Sequence, residues 1–74
     1  MKNMDIIVQF AVLWGIKIGN AFTRKEQNLA EEMKTYDSQE LSSIFTAWSE
    51  EYLKGNFTDT VDFFEEKLTN LMHE

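Results

Sequence analysis

Residues 6–18 read IIVQFAVLWGIKI, and ten of these thirteen positions are apolar, with only Gln9, Gly15 and Lys17 interrupting. After Asn20 the chain changes character: charged and apolar residues alternate at the spacing of two-faced helices. A segment that is apolar nearly all round is expected to be buried on most sides. The remainder of the chain should therefore wrap around it. The same segment also reads as a strand, because Ile6, Val8, Phe10, Val12, Trp14, Ile16 and Ile18 recur at period two and many are β-branched. Length decides for a helix, run from about Met4 to Ile18. Thirteen residues are too many for an ordinary strand, and no second strand candidate exists to pair with it.

Size sharpens the demand on that helix. Ordering each residue costs roughly 1.5 kcal/mol, and in a chain this small the burial term barely offsets it. Folds of this size are often held by disulfides or metals, but the 74 residues contain no Cys and one His, at position 73. Self-association or a partner that completes the core gains weight by elimination. The absence of Cys fits a reducing cytoplasm. Proline is also absent, which removes the strongest helix breaker and points to an all-α chain.

Residues 1–21 carry some traits of a signal peptide: Lys2, the apolar run, and a small-residue sequence at Gly19-Asn20-Ala21. Asp5 and Lys17 oppose that reading, and cleavage would remove the most hydrophobic stretch from a chain short of core. A transmembrane span wants about 20 apolar residues, more than the run supplies. The expectation is a cytoplasmic protein without a membrane partner.

The remaining elements follow from caps and stripes. Asn3 or Asp5 can cap the first helix, and Gly19-Asn20 can end it in a left-handed conformation. On one side of that helix lie Val8, Val12, Gly15 and Gly19, a row of small residues that lets another helix approach closely. Packing within the chain is the plainer use of this row, and self-association through Val8, Val12 and Gly15 the sharper one. Thr23-Arg24-Lys25-Glu26 has the form of a capping box with Phe22 as its staple, opening a second helix striped by Leu29, Met33 and Tyr36. Asp37-Ser38-Gln39-Glu40 is another box. It opens a third helix with Leu41, Ile44, Phe45, Trp48 and Tyr52 on one face. Lys54-Gly55-Asn56 stops that helix. Thr58 or Asp59 then opens a fourth, striped by Phe57, Val61, Phe64, Leu68 and Leu71. The spacing predicts a single domain over 1–74, a compact bundle of about four helices at 4–18, 23–35, 38–54 and 58–72, with the first at its centre.

Residues 47–68, AWSEEYLKGNFTDTVDFFEEKL, resemble the helical hairpin of a tetratricopeptide repeat. Tyr52, Gly55, Phe57, Val61, Phe64 and Leu68 match that pattern in type and spacing. The likeness covers 22 of 74 residues and no proline closes the unit, so it implies a shared way of turning one helix back on another.

Chemistry is sparse by comparison. Glu31-Glu32, Glu50-Glu51 and Glu65-Glu66 are sequence neighbours, which point in different directions on a helix and cannot act as acid/base pairs. Asp59, Asp62 and Glu66 do share a face and could hold a hard cation, although a solvated acidic face is the plainer reading. His73 lies at the chain end with no acid three residues before it. Asn56-Phe57-Thr58 fits a glycosylation sequon but serves equally as loop and cap. These residues point to a non-enzymatic protein with no metal or cofactor.

Charge points instead to a partner. Residues 1–37 carry five bases and five acids, whereas residues 38–74 carry two bases and eight acids, so the whole net charge of −6 lies in the second half. That half repels phosphate backbones, which argues against direct nucleic-acid binding, and favours a basic protein. The expected docking residues are Asp59, Asp62, Phe63 and Glu66. Phe63 falls off the main stripe of the fourth helix. It is either an exposed aromatic ringed by acids, as in a contact hot spot, or a residue covered by the first helix. Two other functions fit the same residues. One is inhibition by mimicry of nucleic acid, as products of phages and mobile elements do; the other is a homo-oligomeric structural unit.

Overall fold

The computed structural model describes the backbone of residues 3–72 and the side chains of residues 5–72. The chain forms α1 (Asn3–Thr23), α2 (Gln27–Lys34), α3 (Ser38–Lys54) and α4 (Thr60–Met72). Among the described residues there is no strand. The all-α bundle with the apolar first helix as its hub is what forms: α1 packs on each of the other three, which meet one another far less. The radius of gyration is 12.2 Å, close to the ~11 Å of a compact chain of this length.

One face of α1 supplies the hub. Ile6, Phe10 and Trp14 follow each other at four-residue spacing, which stacks them on one side of a helix, and all are buried. Phe10 lies at the centre, with ring centroids of Phe45, Trp48, Tyr52, Phe63 and Phe64 all between 5.9 and 6.5 Å away. Trp14 meets Tyr36 and Phe45 edge-on at 5.6 and 5.8 Å. Aromatic side chains bury a large area for few ordered residues, which suits a short chain. Ala30 and Met33 close the α2 side of the core. The one buried polar residue described, Ser49, is satisfied by donating to the Thr46 carbonyl at 2.7 Å.

The third helix follows its sequence signals closely. Asp37 and Glu40 form the capping box: the Glu40 amide donates to Asp37 Oδ1 at 2.8 Å, and the Asp37 amide to Glu40 Oε1 at 3.2 Å. At its other end Asn56 takes the left-handed conformation, φ 57°, and the Phe57 amide donates back to the Tyr52 carbonyl. Gly55 is needed for a different reason. A Cβ there would come within 2.5 Å of the Phe57 ring that folds over it. Asp59 opens α4 by accepting from the Asp62 amide at 3.0 Å. The α3–α4 hairpin is then locked by Tyr52 and Thr60, whose hydroxyls are 3.0 Å apart.

Several expectations are corrected. Gly19-Asn20 does not end the first helix, which begins at Asn3, carries Asp5 in its first turn and runs on to Thr23. Continuing the helix keeps Ala21 on the inner side, where it is buried. Termination falls instead at Lys25, φ 62°, with the Glu26 amide donating to the Ala21 carbonyl in the six-to-one pattern of a Schellman ending. The Thr23–Glu26 capping box is therefore not formed. Thr23 lies inside α1 and donates to the Gly19 carbonyl, and Glu26 stands at the start of α2 without a side-chain cap. Phe22 is exposed beneath the Lys34 ammonium rather than acting as a staple.

The expectation that α1 is buried on most sides also fails. Val8, Val12 and Ile16 remain 55%, 56% and 53% exposed. Eight residues of α2, seventeen of α3 and thirteen of α4 cover the side that carries the large rings and leave the opposite side open. The segment Asp5–Thr23 is in fact long and apolar enough to cross a membrane by length and composition.

Candidate functional site

The residues singled out for docking separate into two surfaces. Phe63 belongs to neither. It is 5% exposed, with its ring 5.3 Å from Tyr52 and 4.8 Å from Phe57, and so it is a core residue and not a docking one. Its place on the stripe is exchanged with Val61, which was expected inside and is 51% exposed. The larger apolar area of a phenyl ring decides the rotation of α4, since burial stabilises by roughly 25 cal/mol per Å².

The first surface is the outer side of α4, a shallow depression lined by Asp62, Glu65, Glu66, Thr69 and Asn70. Two flanking acids of this region are already neutralised. Glu65 meets Lys17 of α1 at 3.2 Å, and Glu51 of α3 receives Lys67 through both carboxylate oxygens at 2.7 and 2.8 Å. Asp59 is engaged as the cap of α4. That leaves Asp62 and Glu66, one turn apart and pointing outward, without an ion-pair partner among the described residues. Asp59, Asp62 and Glu66 do not form a group of three ligands able to hold a metal ion. His73 lies outside the described residues.

The second surface is the open side of α1. Val8, Gln9, Val12 and Leu13 line a hollow of about 220 Å³ that Val61 of α4 closes from one side. Leu13 and Val61 are shared with a neighbouring hollow of about 490 Å³, where Ile16 joins them and Arg24 and the Lys17–Glu65 pair form the rim. An apolar strip thus runs from Val8 to Ile16 with Val61 along its flank. Gly15 and Gly19 lie on the same side of α1, and a Cβ built at either meets nothing within 4 Å. Val8, Val12 and Gly15 therefore do not pack within the chain, contrary to the plainer expectation for that row.

What the described residues bring together is contact surface rather than reactive groups. No buried side-chain oxygen or nitrogen among them lacks a hydrogen-bond partner. A sequence clue to the open strip did exist. In a helix apolar all round, the bulky rings of Phe10 and Trp14 mark the buried side, and the glycines mark the other.

Comparison with known protein families finds no family model that matches the chain, and comparisons with curated proteins and with solved structures find no match either.

Proposed function

We propose that this protein is a non-enzymatic module that acts in the cytoplasm by protein–protein interaction, binding a basic partner through the acidic outer face of α4. The observation that supports this reading is the state of Asp62 and Glu66. Neighbouring acids are taken up by Lys17, Lys67 and the cap of α4, while these two project together with no counter-charge among the described residues. Carboxylates so placed stay hydrated until a partner arrives, and their field raises the encounter rate with a basic surface.

The test is the double substitution D62K/E66K, with Asp59 retained because it caps the helix. Immobilised wild-type protein should retain a basic protein from lysate and release it as salt rises. The variant should retain it at least about tenfold less, with an unchanged far-UV circular dichroism spectrum. Equal retention by both would remove α4 from consideration.

A membrane-spanning use of α1 has one observation behind it, its length and apolar composition. Insertion would withdraw Ile6, Phe10 and Trp14 from the core and leave its seven other buried residues, from Met33 to Leu68, without their hub. Burial of that hub favours a soluble bundle.

A further inference from the structure

We propose that the open side of α1 pairs with α1 of a second copy of this chain, antiparallel and around a two-fold axis between residues 13 and 14. The inference goes beyond the α4 reading and is independent of it. It starts from the glycines. Gly in a helix interior is destabilising by roughly 0.5–1 kcal/mol relative to Ala, and α1 holds two of them. Nothing inside the chain requires either, since a Cβ at each would meet open space. A missing Cβ permits close approach of another backbone, and the exposed Val8, Val12 and Ile16 share that side.

The order of residues along the strip then selects the occupant and its direction. In an antiparallel pair centred between residues 13 and 14, Val8 stands opposite Gly19 and Val12 opposite Gly15. Along the centre of the strip each valine meets a glycine. A parallel pair would set valine on valine and glycine on glycine, leaving crowding and voids in turn. Charge agrees with the same direction. Asp5 at one end of the strip and Arg24 at the other have no ion-pair partner among the described residues, and the antiparallel pair brings each toward the other's counterpart. The antiparallel helix dipoles also align favourably. A basic partner or an anionic lipid surface finds little to select here, because the charged residues bordering the strip nearly balance, Lys17 and Arg24 against Asp5, Glu26 and Glu65. A second copy meets little repulsion at the strip itself. Covering Val8, Val12, Ile16, Phe22 and Val61 on both copies removes on the order of 1,000 Å² from water, at the threshold of a specific interface, so dissociation in the micromolar range is expected.

Sedimentation equilibrium of the full chain should show a monomer–dimer equilibrium. G15L/G19L should raise its Kd at least about tenfold, because new side chains hold the helices apart. D62K/E66K should leave the Kd unchanged, which separates this inference from the α4 reading. Direction is read by disulfides, since the chain has no Cys of its own. V8C mixed with G19C should form cross-linked dimers on mild oxidation, while V8C alone should not, its two thiols being about 16 Å apart along the antiparallel axes. This readout does not depend on G15L/G19L folding. A monomeric mass up to about 1 mM, at a thousandfold excess over the expected Kd, would overturn the proposal. So would cross-linking of V8C to itself, or a monomer whose α1 binds uncharged phospholipid vesicles instead.

Discussion

Replacing Phe10 by Ala tests whether α1 is the hub of the fold. The ring is fully buried and touches five other rings from two helices, α3 and α4, so no neighbour can move to fill the space without disturbing the rest. Phe-to-Ala changes at such sites cost about 3–5 kcal/mol, the transfer term plus the unfilled cavity. A chain of this length has a total stability of roughly 4–11 kcal/mol, so F10A removes at least about a quarter of it. In a domain of this size each kcal/mol moves Tm by about 4–8 °C, and F10A should melt at least about 12 °C lower or be unfolded outright. The assay is thermal melting followed by near- and far-UV circular dichroism at high dilution, where self-association contributes nothing. V61A is the control. Val61 is half exposed, so its loss should stay within about 0.5 kcal/mol. An F10A variant melting within about 4 °C of the wild type, or a V61A variant equal to it, would refute the assignment of a single aromatic hub.

Three further outcomes are expected. K25G should raise Tm by several degrees, because Lys25 holds a left-handed backbone that costs a side-chain-bearing residue about 1 kcal/mol, less the flexibility glycine adds to the unfolded chain. D37A should lose about 1 kcal/mol of stability in urea titration by removing the cap of α3, whereas T23A should lose under about 0.5 kcal/mol because its hydroxyl only bonds back within α1. Y52F should cost about 1 kcal/mol by orphaning the Thr60 hydroxyl between α3 and α4, measured in the same titration.

The contrast between Asp37 and Thr23 shows where the sequence was readable and where it was not. Both begin a box of the same form. Before Asp37 the chain has left a helix whose stripe is exhausted, so the cap has no competitor. Before Thr23 the helix still has Ala21 to bury, and that tertiary gain carries it through Gly19, Asn20 and the box itself. The stripe of α3 was legible for a related reason, since Phe45, Trp48 and Tyr52 are its largest residues and also lie on the predicted face. On α4 the pattern placed Val61 inside and left Phe63 open, because spacing alone cannot weigh a phenyl ring against a valine. The uniform hydrophobicity of α1 hid its open side in the same way. Of the surface residues, the shared exposed face of Asp62 and Glu66 was legible from their spacing. The pairing that removes Glu65 and Glu51 joins residues 48 and 16 positions apart and had no local signal.

The brevity of α2 carries a consequence for how the native state breathes. Eight residues without a side-chain cap hold one wall of the core, attached through Ala30 and Met33 and preceded by a strained joint at Lys25. Amide hydrogens of residues 27–34 should exchange with solvent by a hinged, partial opening, well before those at the centres of α1 and α3. That opening uncovers the flank of Trp14 while Phe10 stays enclosed. The two tryptophans would then report separate events, Trp14 the swinging of a small door and Trp48 the collapse of the room behind it.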